Sequence, residues 1–179
     1  MKILNVHERN LSAAPAAVGA LLDGLASPDD RLWPRQHWPA MRLDRLLSVG
    51  AEGGHGPIAY RTVEYEAGTR VRFRFTAPAG LEGEHGLEVT PLPDGGATLR
   101  HVLEGRSRGS MVLAWTLVFR PLHDALLEDA LYNAAVALGE APLARPSWSP
   151  QVRLLRRLLR GRQPAAAIVP ASQPRSSAR

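Results

Sequence analysis

The segment from Gly53 to Phe75, GGHGPIAYRTVEYEAGTRVRFRF, constrains this chain more than any other. From Val71 to Phe75 apolar and basic residues alternate without a break: Val71, Phe73 and Phe75 take one face of a strand, Arg72 and Arg74 the other. Such alternation marks a sheet with one buried and one wet face. Ala67-Gly68 supplies a tight turn back to a preceding strand over 58–66. Further strands are expected at 84–91 and 97–105, separated by Pro93-Asp94-Gly95-Gly96, and the apolar run 110–119 reads as a fifth. A long helix then starts near Pro121. Leu122, Leu126, Ala130 and Ala137 line one stripe, Leu127, Leu131, Ala134 and Leu138 lie beside it, and Gly139 is suited to cap the end.

Upstream, residues 2–11 read as a strand in which Ile3 competes with Leu4 or Val6 for the inner face. Ser12 precedes a helix with Pro15 in its first turn and Val18, Leu21, Leu22 and Leu25 at helical spacing. Pro34 and Pro39 break 32–41 into short helical turns. Leu43–Gly50 reads as a short strand and Glu52–Pro57 as a loop that could border a portal, with His55 flanked by glycines.

Charge divides the chain. The first 140 residues carry 14 basic and 17 acidic side chains; the remainder carries eight arginines and no acid. We therefore expect one domain, 1–140, and a Pro/Arg-rich appendage, 141–179, with a short basic amphipathic helix at 151–161. The high overall pI reflects the appendage and does not imply that the body binds nucleic acid. The chain lacks cysteine, a run long enough to span a membrane, and a signal-peptide core, because His7, Glu8 and Arg9 interrupt the N-terminal apolar stretch. Those features point to the cytoplasm.

The local sequence also resembles a known superfamily. Ala13 to Val18 followed by Leu21-Leu22 resembles the start of SRPBCC proteins, and Gly56 to Phe75 resembles their middle, a Gly-x-x-x-Tyr-x-Val strand, a turn and an aromatic strand. The likeness covers about residues 2–139, with Ala67-Gly68 where Pro-Gly is common. It implies an α+β helix-grip fold: a curved antiparallel sheet wrapped around a long C-terminal helix, with two short helices near the N-terminus. START-like lipid carriers, pollen-allergen-type proteins and polyketide cyclase/dehydrases share that fold. No catalytic set of theirs matches residue by residue, so none is carried over, and fold alone does not assign function.

Strand parity puts His85 with Leu87 and Val89, and His101 with Leu99 and Leu103. Pairing apolar with apolar allows a register with His85 opposite Leu103 and His101 opposite Leu87, making the imidazoles diagonal neighbours. They, with Phe73, Phe75, Trp115 and Trp38, are the candidate ligand-binding residues; each would serve equally in an ordinary core. Met111, Leu113 and Leu117 share Trp115's strand face on this reading. Two histidines without a third ligand make a poor zinc site, so neither metal nor cofactor is expected. Acids at the start of the last helix, His123-Asp124 and Glu128-Asp129, are accounted for by its dipole.

In the appendage, Arg153, Arg156, Arg157 and Arg160 alternate with leucines. A helix of this kind suits weak contact with an anionic membrane or an acidic partner. The expected function is non-catalytic binding of a small hydrophobic or amphipathic molecule. The alternatives are a polyketide cyclase/dehydrase-like enzyme with a cavity histidine as general acid/base, and a membrane-docked lipid carrier.

Overall fold

The computed structural model describes residues 1–140 and 144–160. Its strands are β1 (Lys2–Leu11), β2 (Arg42–Leu43), β3 (Glu52–His55), β4 (Ile58–Glu66), β5 (Arg70–Ala77), β6 (Leu81–Pro91) and β7 (Ala97–Ser107). They form one antiparallel sheet in the order β1-β7-β6-β5-β4-β3-β2. The register of β6 and β7 sets His85 opposite Leu103 and Leu87 opposite His101, one of the registers the alternation allowed. In the β6–β7 pair Gly83, at φ 130°, lies opposite Gly105. A side chain at Gly83 would overlap the backbone of both Glu104 and Gly105.

Helix α1 (Pro15–Asp23) follows β1, with Pro15 in the first turn and Ala14, rather than Ser12, at its N-cap. Ser12 instead binds the Glu140 carboxylate through both its backbone N–H and its hydroxyl. The second short helix reduces to one turn, in which His37 and Trp38 N–H both donate to the Pro34 carbonyl.

Three local expectations are corrected. The run 110–119 is helical: α2 (Met111–Ala114) passes through a π-helical turn (Trp115–Phe119) into α3 (Arg120–Ala137) as one uninterrupted rod. Residues four apart share a helix face and also share strand parity, so Met111/Trp115 and Leu113/Leu117 satisfy both patterns. The helix separates them, burying Met111 and Trp115 while Leu113 and Leu117 face solvent. Second, the strand expected over 43–50 stops at Leu43, where Asp44 turns the chain by accepting the Glu52 N–H. Third, most of the expected 52–57 loop is strand β3, in which His55 pairs with Ile58.

The rod lies across the concave face of the sheet. Toward its C-terminal end Leu131, Ala134 and Ala135 join the main core with Val18, Leu22, Val71 and Leu99. At its N-terminal end Met111 and Trp115 pack with Ile3, Leu81 and Leu103. Pro121 cannot donate a backbone hydrogen bond to Leu117, and the Leu117 carbonyl is taken instead by Gln151 Nε2 at 2.9 Å.

Gln151 belongs to helix α4 (Pro150–Arg160), which packs on α3 through the buried Val152. Arg156 is also buried. Its guanidinium lies 4.4 Å from the ring centre of Trp38 and 3.7 Å from that of Trp148, and it donates to the His37 carbonyl. Both indoles donate to Asp129 Oδ2 on α3, Trp38 at 2.8 Å and Trp148 at 2.9 Å. Arg156 is therefore an internal cation–π tie rather than a residue free to meet a membrane. Arg153 and Arg157 are exposed, and the Arg160 side chain lies outside the described residues. Among the described residues no helix is long and apolar enough to cross a membrane.

Asp129→Ala would leave two largely buried indole N–H groups without their acceptor. We expect it to cost about 2–4 kcal/mol in denaturant unfolding, with Trp148→Phe costing less because only one donor is removed. Equal stability of Asp129→Ala and the natural chain would rule out this tie as a structural element.

Candidate functional site

Between the rod and the sheet lies a cavity of about 500 Å³. Phe73, Phe75, Leu103, Trp115, Leu126 and Leu131 give it a mainly apolar wall. The lining reaches the surface at Gln36, Gly56 and Leu159, so the mouth is framed by the 33–41 segment, the β3–β4 turn and α4.

Five of the chain's six histidines form a line of rings, and four of them, His55, His85, His101 and His123, border this space. His55 touches Tyr60 through Nδ1 and the phenol oxygen at 3.2 Å, and its ring centre lies 4.8 Å from that of Trp33. Tyr60 packs edge-on to His85 at 5.0 Å, and Phe75 stacks on His85 at 4.7 Å. His85 Nδ1 lies 3.4 Å from His101 Nε2. His101 meets His123 edge-on at 5.1 Å, and His123 lies 6.2 Å from His7 at the far end. There His7 Nε2 is 3.1 Å from Asp124 Oδ1 and Nδ1 is 2.9 Å from Glu128 Oε1.

Position in this line sets protonation. Burial depresses His55 to about 3, and it also pushes His85 and His101 well below 6.5, with repulsion from His123 adding to each. In His123 burial outweighs the attraction of Asp124 and the pKa is again lowered. His7 differs: the hydrogen bond to Asp124 raises its pKa against burial, and Glu128 reinforces the effect. Burial likewise raises the Tyr60 phenol, keeping it neutral.

A neutral imidazole has one donor and one acceptor nitrogen. If His85 Nδ1 gives the proton in the His85–His101 contact, His85 Nε2 is an acceptor and His101 Nδ1 a donor; if His101 Nε2 gives it, the two outer roles reverse. Among the described residues neither outer nitrogen has a hydrogen-bond partner. The pair therefore offers one donor and one acceptor in either tautomer, and can pass a proton through itself without acquiring net charge.

No protein-family model and no curated protein matches the chain. Solved structures do. A protein from Thermobifida fusca matches with a TM-score of 0.57 at 18% identity, over 78% of this chain and 97% of that one. A protein from Nitrosospira multiformis matches at 0.56 and 13%, over 76% and 96% respectively. Norcoclaurine synthase from Thalictrum flavum, in complex with dopamine and hydroxybenzaldehyde, matches at 0.57 and 13%, over 80% and 90%. The chain has the helix-grip fold. At these identities the likeness concerns the fold.

Within this helix-grip protein, Phe73, Phe75, His85, His101, Trp115 and Trp38 all border the cavity. The diagonal neighbours expected from strand register, His85 and His101, are in direct contact. Three polar members of the ring line, His7, Tyr60 and His123, escaped the sequence reading, and His55 entered it only as a residue of a possible portal loop. His7 follows Ile3 and Asn5 on the inner face of β1, a face that remained ambiguous while Leu4 and Val6 competed for it. His123 falls on the rod's inner face, eight residues from Trp115, a relation visible only when 110–119 is treated as helix. Tyr60 and Thr62 share the buried parity of β4, and His55 was hidden in a glycine-rich stretch.

These protonation states set a pH dependence. His55, His85 and His101 have depressed folded pKa values, so the unfolded chain binds more protons than the folded one below about 6.5, and stability falls as pH falls through that region. Each contributes a slope of about 1.4 kcal/mol per pH unit there. His7 acts oppositely: its stabilisation is complete below the unfolded value and fades as pH rises through the raised folded one. Melting temperature should drop steeply from about pH 6.5 toward pH 4, and more shallowly in His85→Leu/His101→Leu. Equal slopes in both proteins would contradict burial of these imidazoles in neutral form.

Proposed function

We propose that this helix-grip protein binds one small, mainly apolar molecule carrying a polar group that both gives and accepts a hydrogen bond. The observation that supports this reading best is the His85–His101 pair, buried without outer partners in the wall of a 500 Å³ cavity. Ligand pockets for small organic molecules occupy about 300–1,000 Å³ and combine apolar walls with few polar anchors. A hydroxyl, an enol or a carboxylic acid meets the donor-plus-acceptor requirement; a purely hydrocarbon ligand does not. That norcoclaurine synthase holds dopamine and hydroxybenzaldehyde on the same fold is in keeping with such an occupant.

A fluorescent apolar reporter, displaced by a panel of phenols, fatty acids and hydroxylated polycyclic compounds, tests the proposal. We expect micromolar displacement by members with a polar end. His101→Asn should weaken it about five- to tenfold, the effect of one hydrogen bond. Reporter binding that is insensitive to the whole panel would refute a ligand cavity of this kind.

The same pair supports a second reading, a polyketide cyclase/dehydrase-like enzyme. A neutral imidazole near a bound carbonyl compound can remove an alpha proton, and its partner can return one to the oxygen. His101→Asn would then abolish turnover instead of trimming affinity.

Recruitment to an anionic membrane is a third reading, resting on the exposed face of α4, where Arg153 and Arg157 lie beside Leu154 and Leu158. Arg153→Glu/Arg157→Glu should then lose co-sedimentation with vesicles containing phosphatidylserine. Equal pelleting of variant and natural protein would exclude this face as the docking site.

A further inference from the structure

Beyond the cavity's apolar wall, the far end of the histidine line gathers donors from two elements. His7 comes from β1, and His123 and Asp124 from the first turns of α3. One ligand atom from each, two imidazole nitrogens and a carboxylate oxygen, falls within 4.8 Å of the others. His7 Nε2 is 3.1 Å from Asp124 Oδ1, and His123 Nδ1 is 3.9 Å from that same oxygen. Zinc holds such donors at about 2.0–2.1 Å, which puts tetrahedral neighbours about 3.3 Å apart. The His7–Asp124 spacing already fits that figure, and the His123–Asp124 spacing exceeds it by about 0.6 Å.

Three further features fit a metal centre. Among the described residues the buried His123 Nδ1 has no hydrogen-bond partner, although a hydrogen-bonding nitrogen on the cavity side of a helix is costly to leave unmatched. His7 is oriented from behind by Glu128 Oε1 on Nδ1, the carboxylate–histidine arrangement that supports metal-binding imidazoles. Asp124 Oδ1 receives Asn5 Nδ2 at 2.8 Å, which fixes the carboxylate, while Arg120 approaches the other oxygen, Oδ2, at 3.8 Å. Arg9 sits 3.9 Å from Glu128 Oε2, on the outer side of the cluster.

We propose that His7 Nε2, His123 Nδ1 and Asp124 Oδ1 bind a divalent first-row transition-metal ion, zinc foremost. Two imidazoles and one carboxylate suit zinc and its neighbours better than calcium or magnesium, which favour all-oxygen sets. Bound there, the ion ties the first strand to the last helix and leaves a fourth position for water. Because His123 also borders the cavity, the ion would stand at one end of the ligand space.

The test is titration of the full-length protein with zinc by calorimetry, and with cobalt(II) as a visible-absorption probe of the ligand field. We expect one ion per chain at micromolar affinity and tetrahedral-type cobalt absorption. Both should be lost in His7→Ala and in His123→Ala, while His85→Asn should leave them unchanged. Glu128→Gln lies on a half-exposed helix surface and touches no metal, so it keeps the fold; it should weaken binding about ten- to a hundredfold. Absence of zinc binding below millimolar concentrations overturns the proposal. So does binding that survives both His7→Ala and His123→Ala, which would locate the ion elsewhere.

Discussion

The molecule depends on how the rod from Met111 to Ala137 is held across the concave sheet. It is packed against apolar side chains at both ends, Met111 and Trp115 at one and Leu131 to Ala135 at the other. Between those contacts lies the cavity, lined from the rod by Leu122, His123, Leu126 and Leu127. The π-helical turn at Trp115–Phe119 carries the rod through this region without ending it, and Gln151 covers the carbonyl that Pro121 leaves open. The cavity thus sits along a rod that is packed at both ends.

The same constraint sets the chemistry. Side chains on the inner faces of β1, β3, β4, β6 and β7 and of the rod gather in a region shielded from water. Most are apolar, but five are histidine. Shielding keeps four of them neutral, which is the state in which an imidazole can both donate and accept. Only His7, seated between Asp124 and Glu128, gains a proton more readily than usual. One protein interior therefore holds two electrostatic regimes, a neutral pair suited to an uncharged polar ligand and a carboxylate-flanked end suited to a cation.

Much of this was readable from the sequence where local pattern and tertiary role coincide. Val71 to Phe75 states its buried face outright, and the parity of His85 and His101 together with apolar pairing led to their observed register. The pattern failed where one spacing satisfies two structures, as in Met111–Leu117, or where no local signal exists. Arg156 looks like any arginine of a basic amphipathic helix. Its burial arises from Trp38, over a hundred residues earlier, and from Trp148, both anchored on Asp129. His7 and His123 gain meaning only from each other, across β1 and α3, and no spacing within either element announces that pairing.

The claim that the space under the rod is a chamber for a ligand, and not a packing defect, is tested most directly by native mass spectrometry of the purified protein. The account predicts a discrete non-covalent mass on one chain, released on denaturation and identifiable as a small molecule with an apolar body and at least one polar end. Protein that flies free of any adduct, and gains none when supplied with candidate molecules of that chemistry, would contradict it.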